Sequence, residues 1–370
     1  MMRNTVLIFT LLVSFAASAQ TEQQKMDELM NAYTSMYKFN GTVLVAKKGK
    51  VLFSKGYGYR ISKDSAKNTP NTIYQIGSIT KQFTSAIILK LQEQRKLNID
   101  DKISKYFPGY PKGDSITIKN LLTHTSGIFN YTENQKFMQA TMSKVVSKDS
   151  LMAQFRDVPL NFSPGTKYSY SNSGYVLLGL IIEKITGKPY ETVIREQIFG
   201  PLKMTNSGFD FKNLKSDDKA AGYSIYKQSI KMTAVIADST TSYSAGAIFS
   251  TTGDLLKWHN ALQSTKLLSK QSLQQAYAPL LEKYALGWAV DTIFGQQTVM
   301  HGGGIFGFNT NIQRLPGDDV VVVLLCNMNI GGLEQISRNL LSIVYERPYE
   351  IPREKTAIRV DENILQQYVG

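Results

Sequence analysis

Residues 73–94 read IYQIGSITKQFTSAIILKLQEQ, and this stretch decides how the rest of the chain is read. A short apolar-aromatic run, IYQIG, ends on a glycine. Ser78 follows it. Phe83, Ile87, Ile88 and Leu91 then recur at helical spacing, which predicts a buried helix. Ser78 stands where that helix begins, and free backbone N–H groups there favour developing negative charge. Lys81 lies three residues on, one turn along the same face. A lysine in a partly apolar pocket can lose its charge and take a proton from the serine. The same residues also allow a plain structural reading, in which Ser78 only caps the helix. Ser-x-x-Lys alone decides nothing, because it recurs at Ser35, Ser216 and Ser224. Ser35 falls late in an amphipathic helix, Ser216 in the polar stretch KNLKSDDK, and Ser224 in GYSIYKQS with no strong helix behind it.

Upstream, Met26, Leu29, Met30, Tyr33, Met36 and Tyr37 predict an amphipathic helix over 22–38. Residues 41–47 and 51–59 are β-rich and flank Lys48-Gly49-Lys50, which predicts a hairpin. Residues 100–280 read as mostly helix and loop, with turn signals at Pro108-Gly109, Pro111, Pro164-Gly165 and Gly187. Strands are expected again at about 284–293, 296–301, 308–314 and 319–327, and a last helix at 332–345. Strands at both ends with helices between predict an α+β fold. One antiparallel sheet would be built from both chain ends and flanked by helices, with a mostly helical insert at about 100–280.

The chain has 370 residues, 42% hydrophobic and 19% charged, enough apolar material for one large core. One cysteine, Cys326, excludes an internal disulfide framework. It sits in DDVVVVLLCNMN and reads as a packed thiol. With three histidines and this one thiol, a zinc site is not expected, and the chemistry needs no cofactor or metal. Residues 1–19 read as a secretory signal: Arg3, an apolar run over 5–17 too short to span a bilayer, then Ala17-Ser18-Ala19 before a cut at Gln20. The expected mature protein starts at Gln20, with one main domain over 20–350 and a polar tail over 351–370, and works in the periplasm or outside the cell. No second apolar run is long enough for a membrane span. Net charge is +13, yet the lysines are scattered and no aromatic-basic stacking pattern occurs. A solvated basic surface is expected, with no nucleic-acid partner.

Two further motifs bear on Ser78. Tyr170-Ser171-Asn172 is the single Tyr-x-Asn in the chain and precedes the apolar run VLLGLII. A tyrosine there can relay a proton if a nearby cation lowers its pKa from about 10. Asn172 can hold a substrate amide or the lysine. The alternative is that Tyr170 is a packing residue, one of twenty tyrosines. In TVMHGGGIFGFNTNIQRL a strand is expected to end at His301, before Gly302, Gly303 and Gly304. Glycines let backbone approach a ligand and suit an oxyanion donor, or else simply make a turn.

With these motifs in order, the sequence resembles the serine hydrolases related to class C β-lactamases, D-Ala-D-Ala carboxypeptidases and low-molecular-weight penicillin-binding proteins. GTVLVAKKGKVLFSKGYGY, LLTHTSGI, FSPGTKYSYSNSGYVLLG and SAGAIFSTTGDLLKW carry the resemblance too, from about residue 25 to about 346. It implies a β-lactamase/transpeptidase-like fold and an acyl-enzyme on Ser78. Lys81 and Tyr170 would move protons, Asn172 would position substrate, and the backbone N–H groups of Ser78 and Gly304 would form the oxyanion hole. His124 and His259 would be scaffold. The tail's ending, LQQYVG, resembles the opening of a further β-rich domain.

One position departs from the pattern. The family's usual Lys-Thr-Gly reads here His301-Gly302-Gly303. A neutral histidine grips a substrate carboxylate less well than a lysine does. The expectation is therefore a hydrolase of esters, peptides or D-amino-acid compounds more than an efficient β-lactamase. Its substrate would be a small molecule or short peptide, cell-wall peptides among them. The other reading is a penicillin-binding or substrate-binding protein with little turnover.

Overall fold

The computed structural model describes residues 20–226, 230–354 and 360–368. The leader read at 1–19 lies outside them. Helix α1 (Glu22–Ser35) starts at a capping box, in which Thr21 accepts from the Gln24 N–H and Gln24 reaches back. It buries Met26, Leu29, Met30 and Tyr33 along one stripe. It stops three residues short of the expected end, since Tyr37 takes a positive φ of 55°.

Six strands follow: β1 (Gly41–Lys47), β2 (Lys50–Tyr57), β3 (Ala289–Ile293), β4 (Gln296–Ile305), β5 (Phe308–Leu315) and β6 (Val320–Cys326). Their order is β2-β1-β6-β5-β4-β3, antiparallel throughout. The fold is the β-lactamase/transpeptidase type expected from the sequence, with a sheet drawn from both chain ends. The centre is the β1–β6 pair, in register from Gly41 opposite Cys326 to Lys47 opposite Val320.

Strand β6 is buried along its whole length because both faces are covered. Val321, Val323 and Leu325 face the larger core around α2 (Thr80–Glu93). Val320, Val322, Leu324 and Cys326 face the smaller core under α1 and the last helix, Leu333–Val344. Three layers result, with the sheet in the middle. The segment between the sheet halves supplies helix α3 (Gln135–Thr141), α4 (Asn172–Thr186) and α5 (Ser239–Gly246) around the nucleophile. It also holds a strand pair not expected there, with Tyr223 opposite Thr233. In the tail, Glu362–Leu365 forms a helical turn. No helix among the described residues is long and apolar enough to cross a membrane.

The sequence reading ended β4 at His301, but the strand runs on to Ile305. Gly302, Gly303 and Gly304 pair with Asn311, Thr310 and Asn309 of β5. On its other side β4 is paired with β3 only over 296–300, so 302–305 form an open edge. Glycine is required at 303 by crowding: an added Cβ would lie 2.0 Å from Ile76 O and 2.3 Å from Thr310 Oγ1. The expected strand at 284 likewise begins only at Ala289, because Gly287 turns the chain at φ 97°.

Candidate active site

Close approach of β4 to Ile76 puts the serine against the sheet. Thr310 Oγ1 donates to Ile76 O at 2.9 Å, stitching the turn before Ser78 to β5. Gly77 takes φ 51°, a conformation open to glycine, and its α-carbon packs on the Gly304 backbone. Ser78 then sits in a short 3-10 turn, Gly77–Ile79, that leads into α2. The α2 N-cap is Ile79 and has no side-chain capping bond. The Ser78 hydroxyl is therefore not spent on capping.

It faces two proton carriers instead. Tyr170 O–H donates to Ser78 Oγ at 2.7 Å, and Lys81 Nζ lies 3.1 Å from the same oxygen. Lys81 is fully buried. Its amine also donates to Asn172 Oδ1 at 2.7 Å and to Ala245 O at 2.9 Å. Those two acceptors use both hydrogens of a neutral amine and leave its lone pair on the serine. Burial holds the Lys81 pKa well below the ordinary lysine value.

A relay through a phenolate would need a nearby cation to lower the Tyr170 pKa; burial instead raises it and keeps the phenol protonated. The nearby amine, 4.7 Å from the ring centroid, is itself pushed toward neutrality and offers little charge. Tyr170 is thus a proton donor at rest. Its loop hangs on His124, whose carbonyl accepts from Ser169 N–H and whose Nδ1 accepts from Ser171 N–H. The His124 ring lies 4.2 Å from that of Tyr170, centroid to centroid.

Asn172 opens α4, where its backbone N–H donates to Asn130 Oδ1 and its Nδ2 donates to Thr132 Oγ1 at 3.1 Å. Its amide oxygen is held on the lysine. Asn130 and Thr132 are thus part of the assembly, and no motif marks them in the sequence. Tyr284 is a third unmarked member. Its hydroxyl donates to His301 Nε2 at 2.8 Å, while His301 Nδ1 donates to Gly302 O at 2.6 Å. The neutral imidazole is fully used and turned from the cleft, and burial lowers its pKa to about 3.

Ser78, Asn172 and Gly304 line a cleft of about 570 Å³. Ser78 and Gly304 border it together. Gly302 and Gly303 border a neighbouring trough of about 440 Å³, shared with residues 309–311 of β5 and residues 330–334. His301 borders neither.

All three histidines are held neutral by burial, with His259 lowered to about 4 between Arg314 and Asp319. A folded-state pKa below the unfolded value of about 6.5 gives stability that is complete above 6.5 and lost on acidification. A histidine held at about 4 forfeits about 3 kcal/mol by pH 4. The melting temperature should therefore fall steeply between pH 6.5 and 4, before most carboxylates titrate. Calorimetry across that range checks this, and a flat profile would refute it.

Comparison with known proteins agrees with this geometry. The family model described as Beta-lactamase matches residues 19–342. The chain is 30% identical over 320 residues to the putative penicillin-binding protein PbpX of Bacillus subtilis (strain 168), covering 86% of this chain and 78% of that one. The structure of the octameric penicillin-binding protein homologue from Pyrococcus abyssi superposes with a TM-score of 0.78 at 28% identity, over 87% of this chain and 77% of that one. D-amino acid amidase from Ochrobactrum anthropi SV3 shares the fold, with a TM-score of 0.75 at 21% identity over 86% and 99% of the two chains. By sequence match over most of its length and by fold, the chain belongs to the beta-lactamase family, beside the penicillin-binding-protein homologues.

Proposed function

We propose that the protein is a hydrolase that works through an acyl-enzyme on Ser78, outside the cytoplasm. One observation carries the reading: a serine hydroxyl at the cleft within hydrogen-bond reach of both a buried amine and a protonated phenol. Lys81, as the neutral amine, takes the Ser78 proton while Oγ attacks the substrate carbonyl carbon. The oxyanion is held by the N–H groups of Ser78 and Gly304. As the bond to the leaving group breaks, Tyr170 gives it a proton and recovers one from the Lys81 ammonium. Water then enters, and the same groups in reverse order cleave the ester to release acid and free Ser78. Asn172 keeps the lysine pointed at the serine. The names of the penicillin-binding relative and of the amidase neighbour support acyl transfer to serine.

Intact-mass analysis after treatment with a fluorophosphonate and with an activated ester tests this. The expected result is one adduct on Ser78, lasting with the first reagent and turning over with the second. An adduct elsewhere, or none, refutes the reading, and a lasting ester adduct would favour a binding protein. Tyr170→Phe should lower kcat by about 10²–10⁴-fold. A rate within about threefold of the parent would take Tyr170 out of the reaction.

Export should leave Gln20 as the first residue. Fractionation with N-terminal sequencing checks that, and an intact leader on cytoplasmic protein would contradict it.

A further inference from the structure

Among the described residues, eighteen border the cleft at Ser78, and none of these is Asp, Glu, Lys, Arg or His. The chain is strongly basic, so this neutrality is not a matter of supply. It arises from how α3 is laid. Gln135, Met138, Gln139 and Met142 follow one another at helical spacing and present one face to the cleft. Lys136, the charged residue of that helix, does not border it. Opposite, Ile305 and Phe306 continue the open edge of β4.

The two basic side chains nearest Ser78 are both withdrawn from the cleft. Lys81 is buried and its donors are committed to Asn172 and Ala245. His301 has one ring nitrogen on Tyr284 and the other on Gly302 O. The adjoining trough beyond Gly304 contains a single charged residue, Glu334, of the wrong sign for a carboxylate. Ser242 borders the cleft, and its Oγ is buried without a hydrogen-bond partner among the described residues.

We propose that the site selects substrates that bring no carboxylate to the cleft: uncharged acyl compounds with an apolar body and an amide or ester dipole. This rests on acylation of Ser78. A carboxylate entering the cleft would shed water and meet no cation, which costs more than an amide placed there.

Matched substrates test it. One pair is the 3-carboxyphenyl and 3-carbamoylphenyl esters of the same N-acylglycine. The other is the p-nitrophenyl esters of glutaric and glutaramic acid. Each pair differs in carboxylate against carboxamide, on the leaving group or on the acyl group. Whichever side reaches the cleft, the carboxamide should lead in kcat/KM by about tenfold or more, equivalent to about 1.4 kcal/mol. Gln139→Lys places a cation on the cleft-facing side of α3 without touching the reacting groups. It should cut that preference at least about fivefold, by raising kcat/KM for the carboxylate partner of each pair.

Carboxylates that match or exceed their carboxamides in both pairs would overturn the proposal. So would a preference that Gln139→Lys and a second variant, Met142→Lys, both leave unchanged. Fluorophosphonate labelling separates the two levels. Labelled Ser78 with no carboxamide preference defeats only the selectivity. Unlabelled Ser78 defeats the acyl-enzyme and the selectivity with it.

Discussion

Ser78→Ala should abolish hydrolysis, with kcat falling on the order of 10⁵-fold, while the melting temperature stays within a few degrees of the parent. Both halves follow from one geometry. The Ser78 oxygen is the atom on which Lys81 and Tyr170 converge, so its loss removes the bond-forming group. It caps no helix, since α2 begins at Ile79 without a side-chain cap. A lost cap would cost about 1 kcal/mol, and here that cost is absent. Steady-state assays and thermal melts on the same preparation decide the matter. Residual activity within a hundredfold of the parent would move the chemistry off this serine. A drop in melting temperature of ten degrees or more would show instead that the hydroxyl holds the turn together.

Lys81→Met should be nearly as damaging to the rate, about 10³–10⁴-fold, for a different reason. The methionine keeps most of the aliphatic stem and removes only the amine. Asn172 Oδ1 and Ala245 O then lose their donor, at about 1–3 kcal/mol for a buried unpaired group. Relief of the buried amine offsets part of this, so the variant should still fold. In the parent, the working form of Lys81 is the neutral one. Its kcat/KM should therefore climb with pH through the depressed lysine pKa, with the midpoint well below 10.5. The methionine variant should lose that rise. A pH profile kept intact in Lys81→Met would assign the rising limb to another group.

Much of this was readable from the residues because it depends on local pattern. The β1–β2 hairpin follows from alternation around Lys48-Gly49, and α1 from a stripe that α1 buries as expected. The run VVVVLLC announces a strand covered on both faces, and it is one. What escaped depends on contacts between distant loops. Nothing near Tyr284 shows that it would reach His301, seventeen residues on and one strand over. Asn130 and Thr132 orient Asn172 from a loop some forty residues earlier. The strand's extension through the glycines was not legible, because the crowding that demands Gly303 comes from Ile76, far away in sequence. The direction of the Tyr170 shift is illegible in the sequence for the same reason. A lysine nearby suggests a positive field, but only the packed site reveals that burial has weakened it.

The pairing of β1 with β6 has a further consequence, for how the protein is made. Gly41 sits opposite Cys326, a partner 285 positions later. A ribosome adding about 5–20 residues per second needs about 14–57 seconds to cover that interval. Throughout it, the newly emerged hairpin has an exposed edge and no mate. Closure of the central ladder is therefore a late event, and topology of this kind slows it further. A nascent chain that stays open so long remains threadable through a narrow pore, and it depends on holding factors to keep that unsatisfied edge from its neighbours.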